Sequence, residues 1–500
     1  MSTIKKFAGQ TIIYGFSTII ARLINFVLTP IFVKKFPASV YGVLSNLYAW
    51  SAVLSAILSF GMETTFFRYL QKNQHNKSQV YNNTFLVILA LVLIFIFGTL
   101  LFARDISAWI INGGDLNDTV QYVKYFVFTL ALDALAIIPF AKVREEGKAL
   151  RYGLIKLSNI LIFVGITLIC IVYIPFAITH GLPGAAWAQH GYREGWLGYI
   201  FIAQLIASSI TLLFLLPELL ALRLRFNRKL AFDMFLYSFP ILIANISFII
   251  NENLDKIFLE KLLPAGIGKT ELGIYAACVK LATFLNIAIQ AFRLGAEPFF
   301  FAQSSKPNSG KTYSLIMDYL VILMAIATLG IVANIEILKF FISGGTLEEQ
   351  QLYWSGLHVV PILVIAYLFL GIYMNLSIWY KLSDQTRFGL YISGTGAIIT
   401  ILLNIIFIPL YSYTASAWIT LITYLVMMVM SYGLGQKHYP IPYNTPKIIL
   451  HILLASLFCW LSFVIFNRNL ILGNFLLGIY ILYIYLAERK KIAQLLKKQL

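Results

Sequence analysis

Apolar runs long enough to cross a lipid bilayer, about 18 residues or more, recur along almost the whole chain. Of its 500 residues, 60% are hydrophobic and 12% are charged, and a soluble domain would carry about twice that charge. Backbone groups within lipid must be hydrogen-bonded inside the segment itself, so runs of this length predict helices. The sequence therefore predicts an all-α polytopic membrane protein.

The runs divide into about 14 predicted transmembrane helices, of which FLVILALVLIFIFGTLLF is the most uniformly apolar. The first run follows Lys5 and Lys6, as in a signal peptide, but its length of roughly 25 residues predicts a retained span. The predicted spans cover residues 9–33, 40–62, 80–102, 119–141, 151–174, 196–217, 232–260, 271–297, 313–335, 356–380, 388–411, 414–434, 447–466 and 471–487.

Basic residues concentrate in the loops on one side of these spans, which is typical of the cytoplasmic side. The net charge of +17 is therefore a topology signal, and no nucleic-acid partner is expected. Both termini are predicted to be cytoplasmic, in the plasma (inner) membrane of a bacterium, and anionic lipids are an expected contact of the basic loops. The basic clusters are Lys142, Arg144, Lys148 and Arg151, then Arg223, Arg225, Arg228 and Lys229, then Arg489, Lys490 and Lys491. The loops opposite carry Asp105, Asp115, Asp118, Glu348 and Glu349.

No pattern typical of catalysis or of metal binding occurs in the sequence. The three cysteines lie inside apolar runs, and the six histidines form no H-x-x-x-H pair. The stretch Ser309 to Thr312 (SGKT) lacks the upstream glycine of an ATP-binding loop, and G-x-S-x-G and H-E-x-x-H are absent. We therefore expect a protein that is not an enzyme and has no metal or cofactor, unless Na⁺ or H⁺ couples its activity.

The two halves of the chain open with similar motifs, which predicts an internal repeat. Tyr14-Gly15-Phe16-Ser17 has its counterpart in Tyr237-Ser238-Phe239-Pro240, and the second span of each half closes on G-x-E-x-x-F. Six spans per half is an even number, so the repeats are expected to run parallel, related by an axis along the membrane normal. The predicted lobes are residues 1–217 and 218–434, followed by two extra spans and a basic tail at 435–500.

One stretch, Leu281 to Phe301, is apolar enough to span a bilayer but carries a polar stripe. At about 100° per residue, its polar residues share one side of a helix. Lipid does not solvate such a stripe, so we expect it to face the bundle interior or a watery cavity. The stripe consists of Thr283, Asn286, Gln290, Arg293 and Glu297, with Lys280 on its shoulder.

The first span has a similar stripe, which includes Arg22 at the middle of the span. A guanidinium binds phosphate or carboxylate through paired hydrogen bonds. We therefore expect Arg22 and Arg293, one from each predicted lobe, to converge on an anionic headgroup. The alternative is that each pairs with an internal acid or a helix C-terminus and only stabilises the fold. The stripe consists of Thr11, Tyr14, Thr18, Arg22, Asn25 and Thr29.

Four other charged residues in or beside the spans are weaker candidates. Lys124 and Lys280 could contribute to the anion site, although lysines near helix ends can extend to the interface. Glu63 and Glu297 follow span-closing glycines. We interpret these two acids as structural, either as partners of the nearby arginines or as caps of the next segment.

The seventh span is the most polar of all, and its acidic residues favour a cation or a proton. Asp255 or Glu252, with Asn251, would bind a coupling ion, either Na⁺ or H⁺. Asp133 in the fourth span is a second candidate for this role. The alternative is that Glu252 and Lys256, spaced i,i+4, simply neutralise each other.

Several of these motifs together resemble a known family over nearly the whole chain. They are Ser17 to Phe26 (STIIARLINF) followed by Pro30, Tyr41-Gly42, Gly61-Met62-Glu63 with Arg68, Asn253 to Leu259 (NLDKIFL), and Gly273-Ile274-Tyr275. In them the chain resembles the polysaccharide or oligosaccharide (Wzx-like) flippases. That family lies within the multidrug/oligosaccharidyl-lipid/polysaccharide (MOP, MATE-like) exporter superfamily.

The resemblance implies two six-helix lobes around a cationic cavity, with two extra C-terminal helices. It also implies that an undecaprenyl-diphosphate-linked oligosaccharide is moved from the cytoplasmic to the outer leaflet by alternating access, for a surface polysaccharide such as the O-antigen of lipopolysaccharide. In this mapping Arg22 and Arg293 hold the diphosphate and Arg68 guides the substrate in. The expected partners are this lipid-linked oligosaccharide, membrane lipids, and polysaccharide polymerase or assembly proteins.

Two departures from the superfamily keep other functions open. Multidrug exporters generally carry an acid in the first span, whereas no acidic residue precedes Glu63 here. Lipid II flippases usually carry an arginine deep in the second span, whereas here only Arg68 occurs, at the end of that span. The alternatives are therefore a lipid II flippase, a cation-coupled multidrug exporter, and a non-transporting scaffold in a polysaccharide-assembly complex.

Overall fold

The regular structure of the chain is entirely helical. The computed structural model describes Ile20 and residues 23–24, 26–72, 76–111, 115–183, 185–223, 225–304, 308–383 and 385–497. No β-strand occurs among these residues. Most of the stripe predicted in the first span, namely Thr11, Tyr14, Thr18, Arg22 and Asn25, lies outside the described residues.

The helix boundaries follow the apolar runs and their polar ends. The α-helices are Thr29–Lys35, Ala38–Ser59, Met62–Lys72, Lys77–Leu101, Ala103–Ile110, Leu116–Glu145, Ala149–Leu168, Ile174–His180, Ala185–Gln189, Gly198–Phe214, Leu216–Leu220, Arg228–Leu262, Ile267–Gln303, Ser309–Ala333, Ile335–Leu338, Leu347–Ser355, Val359–Leu376, Ile378–Leu382, Arg387–His438, Thr445–Trp460 and Leu470–Lys497. Wider π-helical turns occupy Ile169–Tyr173 and Leu461–Ile465, and 3-10 turns occupy Lys339–Ile342 and Gly356–His358.

Eleven helices of the described chain are long and apolar enough to cross a membrane. They contain twelve of the predicted spans, because the 52-residue helix Arg387–His438 bends sharply at Ser412 (φ 51°, ψ −140°). That bend separates the predicted spans 388–411 and 414–434. Gly198–Phe214 is a shorter apolar helix at the predicted sixth span. The all-α polytopic architecture is therefore confirmed, and the helices agree with a count of about 14 spans.

The chain divides into two compact units. The first takes the described residues up to Gly273 together with Asn404–Ser412, and the second takes Ile274–Leu403 and Tyr413–Leu500. This division reflects contacts along the chain, whereas the predicted lobes were drawn from a sequence repeat. The lobe boundaries at 217 and 434 therefore stay a prediction.

In the first unit, two repeat-related glycines lie at a close helix crossing. A Cβ atom on Gly42 would lie 2.0 Å from the carbonyl oxygen of Lys269, and one on Gly273 would lie 1.8 Å from that of Ala38. No side chain fits at such distances, so only glycine lets the two helix backbones approach this closely. The sequence indicated both glycines as openings of corresponding spans but did not predict that they pack together.

The first unit also fixes the polar linker between the predicted sixth and seventh spans. Asn82 Oδ1 accepts a hydrogen bond from the backbone N–H of Arg223 at 3.2 Å. Asn83 exchanges two hydrogen bonds of 3.0 Å with the backbone of Asn227. Both asparagines are buried. These hydrogen bonds hold the backbone of the linker at Arg223 and Asn227, and the side chains of Arg223, Arg225 and Arg228 are exposed.

In the second unit, a buried ionic cluster holds the two C-terminal helices. The ammonium of Lys447 lies 2.7 Å from Glu488 and 3.3 Å from Asp318, and each of these three residues comes from a different helix. A neighbouring hydrogen bond joins His451 Nδ1 and Tyr480 Oη at 2.9 Å. Removing one partner of a buried ion pair costs several kcal/mol, so this cluster fixes the C-terminal helices to Ser309–Ala333.

Candidate functional site

Arg293 lies in the last third of the helix Ile267–Gln303, and its side chain is half-buried. Its Nη1 is 3.7 Å from the thioether sulfur of Met374. No described carboxylate lies within ion-pair distance of the guanidinium. A thioether is only a weak acceptor, so most of the guanidinium donors have no described protein acceptor.

The side chain of Arg293 lines a small cleft within the second unit, of about 10 Å³ or roughly the space of one water molecule, which we call the Arg293 cleft. Phe292 and Phe300, from the same helix, contribute apolar surface. Asn375 and Ser377, from the neighbouring helical segments, contribute polar groups. Among the described residues of the lining, the one formal charge is the Arg293 cation. The composition of the cleft therefore favours an anion.

The other polar residues of the predicted stripe precede Arg293 on the same helix. Gln290 is buried and donates to Asn286 Oδ1 at 3.5 Å, whereas Thr283 donates to a carbonyl oxygen of its own helix at 2.8 Å. Lys280 is half-buried further along. These residues do not line the Arg293 cleft. Their contribution to a polar cavity stays a prediction.

The weaker cation candidates of the first unit are exposed. Lys124 and Arg68 have exposed side chains and make no hydrogen bond to a described residue. Glu63 pairs with Arg144. The structure thus supplies Arg144, rather than the nearby Arg68, as the partner of Glu63. The side chain of Glu297 lies outside the described part of the chain.

The seventh predicted span lies within Arg228–Leu262, where Asp255 and Asn251 are buried and Glu252 is half-buried. The ammonium of Lys256 lies 3.5 Å from Asp255 Oδ1 and donates to the backbone carbonyl oxygen of Glu252 at 2.8 Å. Lys256 therefore contacts the carboxylate of Asp255 rather than that of Glu252. The role of these residues in ion coupling stays a prediction.

Asp133 belongs to a polar cluster in the first unit. Its Oδ1 accepts a hydrogen bond from the hydroxyl of Ser208 at 2.7 Å, and Lys156 is close enough to act on it electrostatically. The ammonium of Lys156 also lies 4.4 Å from the centre of the Phe140 ring. A carboxylate with one hydrogen-bond donor, Ser208, and a nearby cation, Lys156, is suited to carry a proton or an ion. That role of Asp133 stays a prediction.

A second hollow of the second unit, of about 460 Å³, is lined by almost exclusively apolar side chains, and we call it the apolar groove. Its lining residue Leu376 follows Asn375 of the Arg293 cleft in the helix Val359–Leu376. Asn375 Nδ2 also donates to the sulfur of Met317, a groove residue, at 3.5 Å. The lining further includes Phe369, Ile372, Leu425, Met428, Ile448 and Leu453.

Sequence reasoning missed the apolar groove and the acidic partners of several arginines. Arg151 binds Glu218 across 67 positions, and Arg193 binds Asp118 across 75 positions through two hydrogen bonds of 2.8 and 2.7 Å. One signal was present for the first pair, since Glu218 is an acid at a span end that the topology places beside a basic cluster. We find no sequence signal for the second pair.

Comparisons with known proteins agree with this architecture. The family model described as "Polysaccharide biosynthesis protein" matches residues 7–296, which is more than half of the chain. A comparison with curated proteins finds no match.

Several solved structures share the fold. A structure of the lipid II flippase MurJ in an inward closed conformation has a TM-score of 0.73 at 13% identity, covering 96% of this chain and 100% of that one. An inward-facing multidrug resistance MATE family transporter of the MOP superfamily has a TM-score of 0.65 at 12% identity, covering 83% and 94%. A MOP superfamily transporter from Pyrococcus furiosus has a TM-score of 0.58 at 13% identity, covering 87% and 94%. Identities this low show the fold alone. The chain therefore belongs to the polysaccharide biosynthesis protein family and has the fold of MOP superfamily transporters.

Proposed function

We propose that the protein flips an undecaprenyl-diphosphate-linked oligosaccharide from the cytoplasmic to the outer leaflet, by alternating access, for synthesis of a surface polysaccharide. The family description supports a substrate of this class. The observation that carries the proposal is Arg293, a guanidinium in a membrane-spanning helix with no described acidic partner.

A fixed cation at this position addresses the main physical difficulty of flipping. A diphosphate must leave water to cross the membrane, and the desolvation of each buried charge costs several kcal/mol. Paired hydrogen bonds from a guanidinium offset part of that cost. Arg293 supplies such a group in the Arg293 cleft. We assign the same role to Arg22, which lies outside the described residues.

The apolar groove suits the other end of the proposed substrate. A polyprenyl chain is a flexible hydrocarbon, and an apolar wall can replace the van der Waals contacts that the chain makes with lipid tails. Asn375, which lines the cleft, donates to the sulfur of Met317, which lines the groove. A cationic pocket beside a long apolar groove fits an anionic head on a hydrocarbon chain.

Coupling to an ion gradient is a further part of the proposal. Asp255, with Asn251 and Glu252, is one candidate site for Na⁺ or H⁺, and Asp133 is the other. Both acids already contact a polar partner, Lys256 for Asp255 and Ser208 for Asp133. Binding of a cation or proton would therefore rearrange an existing contact, which is how an ion can change the balance between two conformations.

Lipid II flipping is a second candidate function, because the structure of a lipid II flippase aligns over its whole length with this chain. The same anionic site and groove would serve that substrate, since lipid II is also a polyprenyl diphosphate. A test by replacement separates the two. If the chain sustains growth of cells depleted of their own lipid II flippase, lipid II is a substrate.

Cation-coupled drug export is a third candidate, because transporters of the MATE family share the fold. It predicts efflux of small amphiphilic drugs that depends on Asp255 or Glu252 and is indifferent to Arg293. A non-transporting scaffold role instead predicts that removal of both arginine charges leaves polymer export intact.

The test is export of the surface polymer by cells whose only copy of this protein carries Arg293→Ala, Arg22→Ala or both substitutions. We expect export to be lost while the amount of protein in the membrane stays normal. Arg387→Ala is a matched control, because Arg387 is an exposed arginine of the same unit outside the cleft. Full export by the double variant would rule out the diphosphate role of both arginines.

A further inference from the structure

A third hollow, of about 670 Å³, lies in the first unit at the end of the continuous helix Ala149–His180. Successive turns of this helix, from Leu168 to Thr179, line the hollow. Lys35, at the end of Thr29–Lys35, and Glu194, in the connection before Gly198–Phe214, complete the lining. The positive-inside pattern places this end of the helices on the outer side of the membrane.

The two charges in the lining are of opposite sign and do not neutralise each other. Lys35 and Glu194 are both exposed, and among the described residues neither takes part in an ion pair or a hydrogen bond. Two opposite charges that line one hollow without pairing leave both available to a ligand. A ligand that carries one charge of each sign would satisfy them together.

The wall below the charges is apolar. Its lining includes the large side chains of Val172, Tyr173 and Phe176, which are 37%, 50% and 51% exposed overall. The π-helical turn Ile169–Tyr173 widens the helix just before Pro175, where a proline ring would otherwise clash with a preceding carbonyl.

The polar groups nearest this wall are already satisfied. The hydroxyl of Thr179 donates to backbone carbonyl oxygens of its own helix at 2.9 and 3.1 Å. His180 Nδ1 contacts the carbonyl oxygen of Phe176 at 2.9 Å, and the centres of the two rings lie 4.1 Å apart with the rings tilted by 32°. The wall therefore offers hydrocarbon contact, with an aromatic residue at the level where membrane proteins place their aromatic belt.

The connection that carries Glu194 is held in place by its neighbours. Arg193 binds both carboxylate oxygens of Asp118, and its backbone N–H donates to Tyr199 Oη at 2.8 Å. The guanidinium lies over the ring of Trp196 at 5.1 Å. Glu194 is thus positioned without using its own carboxylate.

We propose that this hollow binds a zwitterionic glycerophospholipid with a primary amine, such as phosphatidylethanolamine. The lipid phosphate binds Lys35, its ammonium binds Glu194, and an acyl chain lies along Val172, Tyr173 and Phe176. A saccharide would leave most of this apolar wall unused, and a purely anionic lipid would leave Glu194 facing negative charge. The inference does not depend on the proposed function, because it involves neither the Arg293 cleft nor the apolar groove.

The test is a lipid titration of the purified, delipidated full chain, followed by native mass spectrometry. Charge-assisted hydrogen bonds contribute about 1.5 kcal/mol or more, so wild type should bind phosphatidylethanolamine about tenfold more tightly than phosphatidylglycerol. Glu194→Gln should remove this preference, and Lys35→Gln should weaken the binding of both lipids. Asp105→Asn, an exposed acid predicted on the same side, is the control and should keep the preference.

The preference is a ratio measured on one protein sample, so partial unfolding of a variant does not alter it. Equal binding of the two lipids by wild type would overturn the proposal. Tighter binding of phosphatidylglycerol would overturn it as well and would indicate an anionic ligand. If Glu194→Gln keeps the preference for phosphatidylethanolamine, the lipid amine is not recognised at this hollow.

Discussion

Arg151 and Arg293 make the most informative comparison in the molecule. Both are half-buried arginines of membrane-spanning helices, but Arg151 lies 2.7 Å from Glu218 whereas Arg293 contacts only a thioether among the described residues. Two other arginines, Arg144 and Arg193, also have an acidic partner. An arginine paired with protein serves the fold, and one that lines a cleft unpaired is available to a ligand.

The partners explain why the paired arginines are structural. Glu218 is only 4% exposed and is seated among helices of the first unit, so the Arg151–Glu218 pair joins two segments that are distant in sequence. Arg293 forms no ion pair with a described residue. Its removal should therefore cost activity rather than stability, whereas the reverse should hold for the pair.

The largest expected effect is on transport by Arg293→Ala. Loss of a buried charge-assisted contact costs about 3 kcal/mol, so flipping should fall about 100-fold or more. The melting temperature of the purified variant should stay within a few degrees of wild type, because no acid is left unpaired. Arg293→Lys keeps the charge but loses the paired donors, so its rate of flipping should lie between those of wild type and Arg293→Ala. A large loss of melting temperature would mean that Arg293 serves the fold.

Glu218→Ala should mainly reduce stability, whereas Arg293→Ala should mainly reduce transport. It leaves a half-buried guanidinium without its acid, and such a change costs about 3 kcal/mol of stability. Thermal unfolding of the purified protein measures this loss. The double variant Arg151→Met/Glu218→Met removes both charges and should recover most of the lost stability. Transport per folded molecule should be unchanged in both, and a selective transport defect would contradict the structural assignment.

Glu63→Gln should have a smaller effect. The Arg144–Glu63 pair is more exposed, at 37% and 44%, so water screens the charges and the loss should be about 0.5 kcal/mol. The matched change Glu145→Gln removes a similarly exposed pair, with Lys77, whose side chains are 55% (Lys77) and 29% (Glu145) exposed, and it should cost about the same. A loss of stability as large as that of Glu218→Ala would show that the solvent exposure of an ion pair does not determine how much it contributes to stability.

The smallest effect concerns the region around Arg193 and appears only in alkali. Burial, then the neighbouring Tyr199 and Glu194, raise the pKa of Tyr192 from 10.0 to about 12. A phenol whose pKa is raised by folding ionises more readily when unfolded. Its contribution to stability is therefore complete below about pH 10 and is lost as the pH rises through about 12. In thermal melts between about pH 10 and pH 12, Tyr192→Phe should lose less stability than wild type. Identical losses by the two proteins would contradict the raised pKa of Tyr192.

The sequence predicted the spans well, because hydrophobic length is a local property. The bend at Ser412 falls between two predicted spans, and Gly198–Phe214 falls at the sixth. The site was only partly predictable. Arg293 stands out as a cation in an apolar run, but its contact with Met374 and the wall formed by Asn375 depend on residues about 80 positions away.

The same limit applies to the packing of the two glycines and to the charged pairs. Gly42 and Gly273 are visible in the sequence as corresponding openings, yet only tertiary structure brings them together. The pairing of Lys447 with Asp318 and Glu488 could not be derived, since any of several acids satisfies the same local pattern. Partner choice is decided by helix packing, which local periodicity does not encode.

The central claim is that Arg293 binds the phosphate groups of a polyprenyl lipid. The direct test is equilibrium binding of undecaprenyl diphosphate to purified wild type and Arg293→Ala, with undecaprenol as the uncharged reference. We predict that wild type prefers the diphosphate and that Arg293→Ala weakens its binding at least about tenfold, with no change for undecaprenol. Equal binding of the diphosphate by both proteins would contradict the claim.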